Sequence, residues 1–78
     1  MHRVLEELMK YDLFMSFRPD DLNTMVITFR KTDDQGIMRF RSYRLSEIEI
    51  SRLNIDIVDV LLDFIDRFMK DFNDKKFD

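Results

Sequence analysis

The sequence predicts an α+β fold in which a helix, a three-stranded antiparallel meander and a long C-terminal amphipathic helix pack as two layers. Three observations predict it. Apolar residues recur at spacings of three and four from Ile50 to Phe72; apolar and polar residues alternate through Thr24 to Lys31 and again through Ile37 to Leu45; and the only Gly lies between those alternating runs. A chain of 78 residues holds one small domain, residues 1–78. Its hydrophobic fraction of 45% supplies a core, and its charged fraction of 37% keeps the surface solvated.

Each element has its own warrant. Residues 3 to 12 place Val4, Leu5, Leu8, Met9 and Asp12 along one side of a short helix, with Glu6, Glu7 and Lys10 around the rest. Leu13 to Arg18 is a mixed apolar run, a first strand, and Arg18-Pro19-Asp20-Asp21 has Pro and Asp where a type I turn wants them. In Thr24 to Lys31, β-branched and aromatic residues make the clearest strand, with Met25, Ile27 and Phe29 alternating against Val26, Thr28 and Arg30. Asp33-Asp34-Gln35-Gly36 closes a hairpin, because Gly accepts the positive φ that ends such a loop. The third strand, Ile37 to Leu45, then alternates Met38 and Phe40 with Arg39, Arg41 and Tyr43.

The segment after it reads two ways. Glu47-Ile48-Glu49-Ile50 alternates like a strand, while Ser46 with Glu49 matches a capping box, and the helix is favoured. Ile50, Leu53, Ile57, Leu61, Phe64, Phe68 and Phe72 form an unbroken stripe, widened by Val58, Leu62, Ile65 and Met69. A helix therefore covers at least residues 55 to 72, with a start anywhere between Ser46 and Asp56 and a frayed tail over 73–78.

Both helices are expected on one face of the sheet. Alternation assigns Met25, Ile27, Phe29, Met38 and Phe40 to that face and leaves Thr28, Arg30, Arg39, Arg41 and Tyr43 outside, joined by Arg18. Charge is divided as well: residues 1 to 45 hold 8 Lys and Arg against 7 acids, whereas residues 46 to 78 hold 5 against 9, for a total of −3. Asp56, Asp59, Asp63 and Asp66 run along one stripe of the long helix. An acidic stripe is the ordinary solvated face of a helix, and it is also a surface that can occupy a basic groove built for nucleic acid. The Arg residues with Tyr43 suggest a second surface, one that contacts phosphates and stacks one base.

Enzyme chemistry finds little support. His2 is the sole histidine and lies at a chain end, no Cys is present, and one Gly cannot build a phosphate-cradling loop. The pairs Asp20, Asp21 and Asp33, Asp34 fall in turns, where Asp serves local backbone hydrogen bonds. A non-enzyme is expected, without cofactor or metal. No apolar stretch approaches the roughly 20 residues that cross a bilayer, and the absence of Cys fits a reducing compartment. A soluble, cytoplasmic protein without membrane contact follows as the expectation.

Leu5-Glu6-Glu7-Leu8, a Pro-Asp turn, Met25-Val26-Ile27-Thr28-Phe29-Arg30, the Gly36 hairpin, Tyr43-Arg44-Leu45-Ser46 and the Asp-rich helix together resemble small phage-encoded proteins of Gram-positive bacteria. That group shares the helix, three strands, helix order over essentially the whole chain. It includes acidic type II anti-CRISPR inhibitors that cover the DNA-contacting surface of their target nuclease. The resemblance is one of topology and charge and transfers no residue by position; the Arg-rich face departs from it. It implies a mobile-element origin and an inhibitory or accessory role, in the cytoplasm of a host bacterium, through contact with a host or phage protein. On that expectation Asp56, Asp59, Asp63 and Asp66 make the contact. The alternatives are a nucleic-acid binder using Arg18, Arg30, Arg39, Arg41 and Tyr43, and a structural homodimer.

Overall fold

In a computed structural model, which describes residues 2–21, 23–46, 51 and 56–76, the chain forms helix α1 (His2–Tyr11), strands β1 (Phe14–Asp21), β2 (Thr24–Thr32) and β3 (Met38–Ser46), and helix α2 (Ile57–Asn73). The strands make one antiparallel sheet in the order β1-β2-β3. This is the expected α+β order of helix, meander and helix. The long helix, expected over at least residues 55 to 72, begins at Ile57 behind its N-cap Asp56, while the choice between helix and strand over residues 47–50 and 52–55 lies outside the described residues.

Helix α1 turns Val4 fully into the core, with Leu8 and Tyr11 packed against it. Those positions follow the i, i+4, i+7 spacing of one helical face. Leu5 and Met9 sit about 100° to one side by helical geometry and are exposed, correcting the broader stripe expected from sequence. The helix is closed by Leu13 N–H donating to the Leu8 carbonyl at 2.8 Å and Asp12 N–H to that of Met9 at 3.3 Å. Asp12 takes the left-handed conformation, φ 55°, that this closing motif requires.

Strand β1 continues through Pro19 to Asp21, so the turn placed at Arg18 to Asp21 lies further on. A proline fits here because β1 is an edge strand, where a missing N–H costs no ladder bond, and the register shifts between Pro19 and Asp21. Asp21 then accepts from Asn23 N–H at 3.0 Å, and this backbone bond is the chief cause that holds its carboxyl below the usual range.

The second hairpin turns on Asp33. One carboxylate oxygen accepts from the N–H groups of Gln35 and Ile37, both at 2.9 Å, and the other accepts from Arg39 Nε at 3.2 Å. Gly36, at φ 81°, donates to the Asp33 carbonyl. The N–H of Ile37, ahead of the others, keeps the Asp33 carboxyl below its ordinary value. A carboxyl depressed in the folded state stabilises the protein above its unfolded value, near pH 4, and that contribution disappears as pH falls through the folded value. Thermal unfolding followed from about pH 6 to about pH 3 should therefore show a smaller acid-dependent fall in Tm for Asp33→Ala than for the native chain. Equal pH dependence in the two would contradict this role.

Helix α2 opens at Asp56, whose carboxylate caps the first turn by accepting from Val58 N–H at 2.9 Å. Its buried residues, Leu61, Phe64, Ile65, Phe68 and Met69, meet Val4 and Leu13 with Ile27, Phe29 and Leu45 of the sheet in one core. Lys76 N–H returns to the Asp71 carbonyl at 2.9 Å, with Lys75 at φ 56°. Residues 73–76 are thus tied into a closing turn, not frayed as expected; residues 77 and 78 lie outside the described residues.

The register overturns the facing assigned to β3. Thr32 pairs with Met38, and in step with it Phe29 pairs with Arg41 and Ile27 with Tyr43. Directly paired residues share a face. Arg39, Arg41, Tyr43 and Leu45 therefore point to the helices, while Met38 and Phe40, expected in the core, are 54% and 63% exposed on the other side.

Candidate functional site

Among the described residues both helices occupy one face and no element covers the other, whose side chains form rows across the strands. In the first row Phe14 of β1, Arg30 of β2 and Phe40 of β3 are direct cross-strand neighbours. Phe14 is 70% exposed, and the Arg30 guanidinium carbon lies 5.6 Å from its ring centroid. The next row is Ser16, Thr28 and Ser42, with the Thr28 and Ser42 hydroxyls 2.7 Å apart. The third is Arg18, Val26 and Arg44, in which Val26 is buried yet stands outside the core cluster. Asp20 of β1 pairs with Arg44 at 2.8 Å. Arg18 and Arg30 make no ion pair among the described residues. A concavity beside the first row is lined by Asp12, Phe14, Arg30, Lys31, Thr32 and Met38.

Of the residues expected to read nucleic acid, Arg18 and Arg30 lie on this face and the other three do not. Arg39 holds Asp33 in the hairpin, and Arg41 pairs with Asp71 of α2 and donates to the Lys76 carbonyl at 3.3 Å. Both serve as ties between the sheet and its surroundings. The Tyr43 ring stacks on Phe64 at 4.8 Å between centroids and meets Phe29 edge-on at 5.9 Å, so it is not available to a base. Its hydroxyl is enclosed without a hydrogen-bond partner among the described residues, and burial pushes the phenol above its ordinary pKa. The face instead takes its rings from Phe14 and Phe40. Those were missed by reading strands one at a time; the pairing across the Gly36 hairpin is the signal that reveals them.

The acidic stripe lies on the side of α2 away from its buried residues. Its four members differ. All four are exposed, but Asp56 caps the helix and Asp63 pairs with Arg67 at 2.9 Å, whereas Asp59 and Asp66 make no ion pair among the described residues. Lys70, four residues after Asp66, brings positive charge into the same stripe.

These features define an open-faced, two-layer α+β domain with an aromatic and guanidinium surface opposite its helices. No protein family, curated protein or solved structure matches the chain. Among the described residues, no helix is long and apolar enough to cross a membrane. No group of three or more His, Cys, Asp or Glu side chains among them is placed to hold a metal ion.

Proposed function

We propose that this protein is a non-catalytic binding module acting by contact through the open face of its sheet. The observation that carries the reading is the row Phe14, Arg30, Phe40. Two large rings are kept in water on either side of a guanidinium, at a cost in solubility that packing inside the domain does not require. Phe, Met and Arg are also the residue types enriched where binding energy concentrates. In the mobile-element setting implied by the resemblance, such contact serves an accessory or inhibitory role. The acidic side of α2 is the weaker contact surface, since Asp56 and Asp63 are already engaged within the chain.

Photocrosslinking in the producing cell tests the reading whatever the partner is. With p-benzoylphenylalanine replacing Phe40 in one variant and Asp66 in another, irradiation should give a discrete adduct from position 40 and none from position 66. An adduct from position 66 alone would transfer the function to the acidic helix.

A further inference from the structure

The open face carries more than a row of rings, because what lies beside them changes in a fixed order along the strands. Successive rows on one face are two residues apart, or about 7 Å. The stacking row comes first, the hydroxyls of Ser16, Thr28 and Ser42 about 7 Å further on, and the guanidinium groups of Arg18 and Arg44 about 7 Å beyond those. Strands lie about 4.8 Å apart, so Phe14 and Phe40 stand about 10 Å from each other with Arg30 between them.

We infer that the ligand of this face is single-stranded nucleic acid, with bases laid on Phe14, Arg30 and Phe40 and the sugar-phosphate chain directed toward Ser16, Thr28, Ser42, Arg18 and Arg44. The inference rests on the contact-face reading and names its ligand. Aromatic rings and guanidinium planes both stack on bases, and unpaired bases are the ones whose faces are accessible. Ser, Thr and Arg are the side chains that contact sugar and phosphate. An apolar protein partner would gain nothing from the hydroxyl row, which breaks the apolar surface after the first row. A second copy is disfavoured by charge: face to face, each copy brings Arg18, Arg30 and Arg44 against Asp20, itself held by Arg44, and Asp12 at the edge of the face. The carboxylate of Asp12 lies at the stacking end, away from the guanidinium row and so away from the phosphates. With a net charge of −3 the chain exerts no long-range pull on a polyanion, so stacking and the three arginines carry the binding.

The test is fluorescence anisotropy with labelled oligothymidylate and oligouridylate of about 12 nucleotides, a length within the range single-strand binding folds occupy. Affinity should fall between about 50 mM and about 200 mM salt, with a logarithmic slope of about −1.4, about −0.7 for each of the two phosphates met by Arg18 and Arg44. Phe14→Ala with Phe40→Ala should lower affinity by about 25-fold or more, from the loss of stacking at two bases. Phe14→Leu with Phe40→Leu keeps apolar area and removes the rings; it should also bind weakly, with an unchanged circular dichroism spectrum. Failure of the native chain to bind either oligonucleotide overturns the inference, as does undiminished binding by the Leu pair. If oligonucleotide binding is absent while the position 40 adduct resists nuclease and is destroyed by protease, the ligand is a protein. The contact-face reading then stands and this inference falls. A doubled mass in light scattering that reverts to the monomer in the Leu pair assigns the face to a second copy and overturns the inference likewise. Absence of both binding and adduct removes the two together.

Discussion

Phe68→Ala should cost about 3–5 kcal/mol, the range for emptying a fully buried aromatic site. Phe68 has no exposed surface, and its ring lies 5.9 Å from Phe29 on the sheet and 6.2 Å from Phe72 on its own helix. It therefore joins the two layers. A domain of this length has a total stability on the order of 4–12 kcal/mol, so the Ala variant sits at the margin of folding. Phe68→Leu keeps most of the volume and should cost about 1 kcal/mol, leaving a folded protein for comparison. Urea unfolding followed by circular dichroism measures both. A loss below about 1 kcal/mol for the Ala variant would show that α2 does not pack on the sheet through this ring.

Most of the fold was legible because local patterns and tertiary packing agree. The stripe through Leu61, Phe64 and Phe68 has no competing period, and all three are buried. The alternation through Ile27 and Phe29 placed β2 correctly for the same reason. Strand β3 was misread because composition and facing diverge there: Met38 and Phe40 have the chemistry of a core, and Arg39 and Arg41 that of a surface. What decides the matter is non-local. The hairpin sets Thr32 opposite Met38, so odd-numbered residues of β2 and β3 share a face, and Asp33 and Asp71 are at hand to pair with the inward arginines. Strand periodicity is two, so an error of one residue moves every side chain to the wrong side.

The candidate site inherited that error. Arg18 and Arg30 were placed outside from their own strands, and the structure keeps them there. Arg39, Arg41 and Tyr43 went inward with β3, while Phe14, Phe40 and Arg44 took their place on the open face. The acidic stripe could be seen from spacing alone, yet its internal engagements could not. That Asp56 caps the helix depends on where the helix starts, which an unbroken apolar stripe leaves open.

The facing of β3 creates the open face, so it is the claim on which the functional account depends. The same substitution at two positions of that strand tests it. Tyr43→Thr removes a ring stacked on Phe64 and edge-on to Phe29, and should cost about 2–4 kcal/mol, somewhat less than a fully buried aromatic because Tyr43 is partly exposed. Phe40→Thr retains strand preference and removes a ring that touches mainly water, so its effect should stay within about 0.5 kcal/mol. Urea unfolding of the two variants beside the native chain gives the answer. A large loss at Tyr43 with little change at Phe40 is the predicted result; a large loss at Phe40 with little change at Tyr43 would reverse the strand and remove the aromatic row from the surface.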